Sequence, residues 1–337
     1  MPSALVTGAT GLVGSHVVAR LLADGWSVRA LVRARVPEPR GVEQRVGDVL
    51  DPAAFASAAA GVDVVFHAAA AITPRGGWEA FRRLNVDGTR NAVDAAVASR
   101  ARLVHVSSVA VYGSGGRYAA GGGKTSEDTP LGPLPERAYY ARSKRESEQI
   151  VLDAHRAGRV WSTALRPDVI YGPRDRQFVP RLARLLDRGF APVIGGGVTT
   201  LAVVHAANVA DGVVRAATNT AAGGRAFNLA NDFDVTVAEF FRLAAEGLGR
   251  RVRLVNIPLP VARSLFRAVR IGARLLTGGR SSVVSNSSLG FVTRDNPFTS
   301  ERARRELGWS PSVHPSRGVP DAFRWWRAHR AASDASS

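Results

Sequence analysis

Apolar and polar positions change period repeatedly along the first 170 residues. The run ALVT (4–7) is continuously apolar and ends in GATGLVG. The next stretch is apolar at Val17, Val18, Leu21 and Leu22 and stops near Gly25. That pattern predicts a strand, a glycine-rich turn and a helix. The runs SVRALVR (27–33), EQRVGDV (43–49), DVVFHAAA (63–70) and LVHVSS (103–108) continue an alternation of strands and helices. The expected fold is α/β, a doubly wound parallel sheet. Farther on, DVTVAEFFRLAAEGLGR (234–250) has a capped amphipathic helical pattern. In VARSLFRAVRIGARLL (261–276), Arg263, Arg267, Arg270 and Arg274 recur at spacings of four, three and four. On a helix they form one narrow stripe, with Ala262, Leu265, Phe266, Val269, Ala273 and Leu276 on the opposite side. A helix of this kind either lies on an anionic membrane surface or packs its apolar side on the protein with arginines in water. The pattern leaves both open.

Composition narrows the classes. The chain has 337 residues and is 45% hydrophobic, enough for one large core or two domains. No apolar run is long enough to predict a transmembrane helix, so any membrane attachment is expected to be peripheral. The start MPSALVTGATG lacks a basic region followed by an apolar one, so no signal peptide is expected. There is no cysteine, hence no disulfide or thiolate metal site, which fits a cytoplasmic protein. The formal charge is +17, but the arginines are scattered and no basic block is interleaved with aromatics, so no nucleic-acid partner is expected. GSGGRYAAGGGK (113–124) is expected to be a surface loop and residues 331–337 a flexible tail. His67 sits in an apolar strand without a ligand partner nearby, His205 follows an apolar strand and precedes a helix, and both are expected to be structural. No metal-ligand spacing and no Ser/His/Asp arrangement stands out.

Two stretches carry candidate chemistry. The glycines Gly8, Gly11 and Gly14 are spaced GxxGxxG. Gly8 permits a tight turn, Gly11 lets backbone approach a pyrophosphate, and Gly14 lets the helix pack close, so that its N-terminal N–H groups face phosphates. An acidic residue at the end of the second strand would bind an adenosine ribose. That position, eighteen after Gly14, is Val32, followed by Arg33. A guanidinium without a carboxylate suits a 2′-phosphate, so NADP(H) is favoured over NAD(H). The second stretch is YYARSK (139–144). Tyr140 and Lys144 are four apart and share a helix face. The chain has only two lysines, Lys124 and Lys144. Lysine, unlike arginine, is a compact cation whose pKa shifts readily. Hydride transfer at a carbinol carbon needs proton transfer at oxygen. A phenol, with a pKa of about 10, needs a nearby cation to act as a base at neutral pH. Tyr139 is expected to be packing or pocket wall.

TGATGLVG (7–14), GDV (47–49), HAAA (67–70), NVDGTRN (85–91), VSSVAVYG (106–113), YYARSK, ALRPDVIYGP (164–173) and TRDNPFTSERARRELGW (293–309) occur in this order over nearly the whole chain. This set resembles the extended short-chain dehydrogenase/reductase superfamily, which includes the NAD-dependent epimerases and dehydratases. The resemblance implies a Rossmann-type domain over 1–171, to which a strand and helix near 199–218 return. It implies a smaller, mixed α/β substrate lobe over most of 172–330. Ser108, Tyr140 and Lys144 would be catalytic, with Ser107 the fallback for Ser108. The cofactor would be held by Gly8, Thr10, Gly11, Leu12, Val13, Gly14, Arg33, Asp48, Val49, Ala68, Ala69, Ala70, Ser107, Pro167 and Val169, together with Tyr140 and Lys144. Family members are often dimers through the tyrosine helix, which implies a homodimer.

Within the family, dehydratases carry Asp and Glu where this chain has Val109 and Ala110, so dehydration is not expected. Nucleotide-sugar epimerases usually carry Asn where Val169 stands. The RPxxIYGP turn and FVPRLARLLDRGFAPVIGGG (178–197) look like the 3β-hydroxysteroid dehydrogenase-like branch. The expected activity is an NADP(H)-dependent interconversion of a bulky hydrophobic secondary alcohol and its ketone. A 4-epimerase with retained NAD is the alternative.

Overall fold

The structure, a computed structural model, describes residues 1–37, 40–73, 76–113, 123–230, 232–277 and 286–334. Most of the glycine-rich stretch and the end of the tail singled out above fall outside these residues. The strands are β1 (Ser3–Thr7), β2 (Ser27–Val32), β3 (Glu43–Val46), β4 (Val64–His67), β5 (Arg102–Val106), β6 (Ser162–Pro167), β7 (Val169–Tyr171), β8 (Phe190–Ile194), β9 (Val203–His205), β10 (Ala226–Leu229) and β11 (Arg253–Ile257). The helices used below are α1 (Leu12–Ala23), α2 (Pro52–Ala59), α3 (Gly77–Phe81), α4 (Gly88–Ser99), α5 (Tyr139–Arg156), α6 (Phe178–Leu186), α7 (Ala206–Thr218), α8 (Val237–Leu248) and α9 (Leu259–Thr277).

The main sheet has seven strands in the order β10-β6-β5-β4-β1-β2-β3, every pair parallel. Successive strands run outward in both directions from β1 and β4. The strand order therefore reverses there, and the carboxyl ends of those two strands form the crevice where α/β sheets bind ligands. Side chains alternate between two cores, as the pleat requires. Ala4, Val6, Phe66 and Val104 face α1 and α7 through Val17, Leu21, Val209 and Val213. Leu5, Val65 and Leu103 face α2, α4 and α5 through Phe55, Val93 and Val151. Helices on both faces explain why these strands read as continuous apolar runs. β4 stops at His67, one step before the alanines, which form the following turn.

The chain divides into two compact units. The first comprises Met1–Ile170, Val204–Asp232 and Phe298–Ser312 and contains the main sheet. The second comprises Tyr171–Val203, Phe233–Pro297 and Val313–Ser337. In the second unit β8 pairs in parallel with β11, and α8 is capped as its sequence predicts. Thr236 Oγ1 accepts from Glu239 N at 3.1 Å, and Gly249 closes the other end at φ 66°. Among the described residues, no helix is long and apolar enough to cross a membrane.

Candidate active site

Every residue the sequence singles out for cofactor or chemistry lies in the first unit. The first group surrounds the β1–α1 turn. Gly8 has φ 69°, and a Cβ there would stand 2.8 Å from Ala69 N and 2.9 Å from Ala68 C. A Cβ on Gly14 would stand 2.1 Å from Gly8 O. The turn therefore closes only with glycine at both positions, and it presses directly against the alanine turn after β4. No side chain caps α1 at Gly11, so its dipole and first N–H groups open toward the crevice. Thr10, Leu12 and Val13 flank this end, and Val13 packs partly on the core. The cradle fits a pyrophosphate, because it offers backbone donors where a side chain would otherwise fill the space.

Arg33 is exposed at the carboxyl end of β2. Gly47 N donates to Val32 O at 2.9 Å, which sets Asp48 on the neighbouring strand end. Asp48 Oδ1 accepts from Leu50 N at 2.9 Å. Val49 packs on the α2–α4 side, and its carbonyl accepts from Asn91 Nδ2 at 2.9 Å. Ala68 and Ala69 are half-buried and Ala70 is exposed. Thr7 Oγ1 joins this turn to the sheet, lying 2.9 Å from His67 Nδ1 and accepting from Ala69 N at 3.3 Å.

The second group sits at the ends of β5 and β6 and on the first turns of α5. Lys144 is buried and its Nζ donates to Val106 O at 2.7 Å. Burial pulls the ammonium down to about 8, against an upward pull from Glu148. Burial raises the Tyr140 phenol, and the nearby Ser108 hydroxyl draws it back. Burial prevails, so Tyr140 rests as a phenol. The sequence suggests a cation lowering it, but here Lys144 is engaged on Val106 and the phenol is raised. Ser108 Oγ also accepts from Ala110 N at 3.1 Å, which fixes its direction. The Tyr140 ring lies 6.3 Å from Phe81. Tyr139 packs between Trp78 and Phe81, each 6.4 Å away. Pro167 is buried at the end of β6, and Val169 N donates to Asp168 Oδ1 at 2.7 Å.

Around these groups stand supporting residues that the sequence reading gave no role. Ser107 Oγ donates to Glu148 Oε2 at 2.6 Å. Glu148, one turn after Lys144, is clamped by Arg166, whose Nε donates at 3.0 Å and Nη2 at 2.5 Å. Arg166 Nη1 donates to Tyr112 Oη at 2.7 Å, and Tyr112 donates to Asn228 Oδ1 at 2.9 Å. Asn85 accepts from Ala71 N at 2.7 Å and donates to Ser143 Oγ at 2.9 Å. It ties the alanine turn to α5 between Tyr140 and Lys144. Glu148 and Asn85 stand at visible spacings, in YYARSKRESE and NVDGTRN, but their partners come from distant strands.

The histidines fall outside this chemistry. His67 and His105 stack at 5.6 Å on adjacent strands, and burial with the nearby Lys144 charge pushes His67 down to about 3. His205 caps α7, accepting from Ala207 N at 3.2 Å. Among the described residues no three His, Cys, Asp or Glu cluster as metal ligands.

Residues 4–230 match the model of the NAD dependent epimerase/dehydratase family. The chain belongs to this family. It is an extended short-chain dehydrogenase/reductase of the 3β-hydroxysteroid dehydrogenase-like branch, and an oxidoreductase. A 4-hydroxy-2-methyl-3-oxo-4-farnesyl-3,4-dihydroquinoline-1-oxide ketoreductase of Stigmatella aurantiaca is 31% identical over 326 residues, 95% of each chain. A decarboxylating sterol-4-alpha-carboxylate 3-dehydrogenase of Bos taurus is 33% identical, covering 75% of this chain and 72% of its own. Among solved structures, gox2253 superposes with a TM-score of 0.75 at 28% identity, covering 98% of this chain and 99% of its own. Members of the family depend on a nicotinamide dinucleotide.

Proposed function

We propose that the protein is an NADP(H)-dependent reductase of bulky hydrophobic ketones, working through Ser108, Tyr140 and Lys144. The observation that carries this is the placement of Ser108, just after β5, near Tyr140, with the buried Lys144 one turn farther along the same helix. When bound, the reduced cofactor supplies a hydride to the carbonyl carbon. Tyr140, resting as a phenol, gives its proton to the carbonyl oxygen as charge develops there. Ser108 holds that oxygen. Lys144 spends one N–H on Val106 O, and its remaining donors serve the ribose. The phenolate left behind is stabilised by the ammonium nearby and then regains a proton. In the reverse direction the same groups act as base and anchor.

Two relatives support the substrate class, since their names give a farnesylated dihydroquinoline oxide and a sterol carboxylate. The exposed Arg33 at the ribose end of β2 supports NADP(H). A homodimer through α5 is part of this proposal. The test is to titrate NADPH and NADH separately while following tryptophan fluorescence. NADPH binds more tightly, and R33A loses about tenfold or more of that affinity, the worth of one charge-assisted hydrogen bond at ~1.5–3 kcal/mol. NADH binding is unchanged. Tightly retained NAD, with nucleotide sugars interconverted without net cofactor turnover, contradicts the proposal.

A further inference from the structure

From residue 247 to 294 the chain contains nine arginines and no aspartate or glutamate. No acid lies within the stretch itself, although Arg250 pairs with Asp187 at 3.5 Å. The segment lies in the second unit and holds β11 and α9. Arg251, Arg253, Arg263 and Arg267 are exposed, and none is ion-paired among the described residues.

The same segment exposes apolar surface. On α9, Ala262 is buried and Phe266 half-buried, so this edge packs on the protein. Val261 and Leu265, one turn apart, are 56% and 55% exposed. Leu265, on the apolar side of the helix by its spacing, is thus exposed while its neighbours Ala262 and Phe266 are covered. By helical geometry Val261 and Leu265 lie opposite Arg263 and Arg267. The arginine spacing continues in sequence to Arg270 and Arg274, whose side chains lie outside the described residues. The β8–β11 pair that leads into α9 repeats the mixture. Phe190, 48% exposed, is registered with Arg253, and Pro192 with Val255, which is 42% exposed.

We infer that this cationic, apolar surface docks the protein on an anionic lipid bilayer. Exposed arginines without ion-pair partners attract anionic headgroups, while aliphatic and aromatic side chains enter the headgroup boundary. A second copy fits poorly, because it would set uncompensated arginines against each other. Duplex nucleic acid would use the arginines but leave Val261, Leu265, Phe190 and Val255 without a role. The contact stands whether or not the alcohol chemistry above holds, since it is read by binding and not by turnover.

The full chain is mixed with vesicles of phosphatidylcholine alone or with phosphatidylglycerol, and co-sedimentation is followed. Binding is expected to the anionic vesicles only, weakening as salt is raised. The pair R263Q/R267Q loses about thirtyfold, at ~1 kcal/mol for each arginine near an anionic surface. The pair V261S/L265S loses at least about tenfold, from the apolar area removed. R83Q/R100Q, in the first unit, leaves binding unchanged. Thermal melting and NADPH titration show that each variant is folded, and the lipid-composition and salt comparisons need no variant. Equal binding to neutral vesicles, or full binding by R263Q/R267Q, overturns the inference. So does a lipid-free dimer that V261S/L265S dissociates, or duplex DNA binding insensitive to V261S/L265S with no vesicle binding.

Discussion

At the end of β1 the protein makes room for a ligand by omitting side chains, and at the end of β5 it builds the proposed acid–base site by placing them. The cradle needs only Gly8, Gly14 and the alanine turn to approach within contact of one another. Its information lies mostly in seven consecutive residues. The proposed acid–base site draws Ser108 from one strand end, Tyr140 and Lys144 from a helix, and Arg166 from the next strand. Its geometry depends on the β5–β6 register, Val106 opposite Leu165, and on the Glu148–Arg166 clamp. One half is local and backbone-built; the other is assembled over sixty residues of chain and held by a buried ion pair.

This contrast predicts how each half breaks. E148Q should have the largest effect on stability. It leaves Arg166 buried without its charge partner, at a cost of about 3–5 kcal/mol, seen as a lowered midpoint in denaturant. The double variant E148L/R166M, which removes both charges, should recover most of that loss while leaving Ser107 without its acceptor. Recovery of stability without recovery of activity would assign the clamp to positioning. G14A should be next. Its Cβ meets backbone at 2.1 Å, so the turn must open, at an overpacking cost of ~2–3 kcal/mol. NADPH affinity should fall by about thirtyfold or more, whereas E148Q that remains folded should bind NADPH nearly normally. K144R should have the smallest effect, mainly on pH dependence. With Lys144 near 8, kcat/KM for NADPH should fall as pH rises through about 8, because the ammonium is lost. Arginine stays charged, so K144R should lack that limb. The stability sign is opposite. Lys144 binds its proton less well folded than unfolded, so its contribution rises with pH between about 8 and its ordinary value.

Legibility followed the same division. The glycine spacing, the strand pattern around β1, β2, β4 and β5, and the Tyr140–Lys144 spacing are periodic or local signals, and the seven-stranded parallel sheet follows from them. Glu148 stands at a visible spacing from Lys144, but its role depends on Arg166 and Ser107 arriving from other elements. Periodicity puts Leu265 on the apolar side of its helix but cannot say which part of that side is covered; its exposure is set by how narrow the buried edge of α9 is. The resting state of Tyr140 was also illegible, since a raised phenol results from burial outweighing the pull of a nearby hydroxyl.

The most direct test of the central claim is the turnover of Y140F with NADPH and a hydrophobic ketone, with NADPH affinity measured on the same sample. The account predicts a loss of about a thousandfold in kcat, within the usual range for a general acid, with cofactor affinity unchanged. Turnover within a few-fold of the wild type, with NADPH still bound, would show that another group supplies the proton and would contradict it.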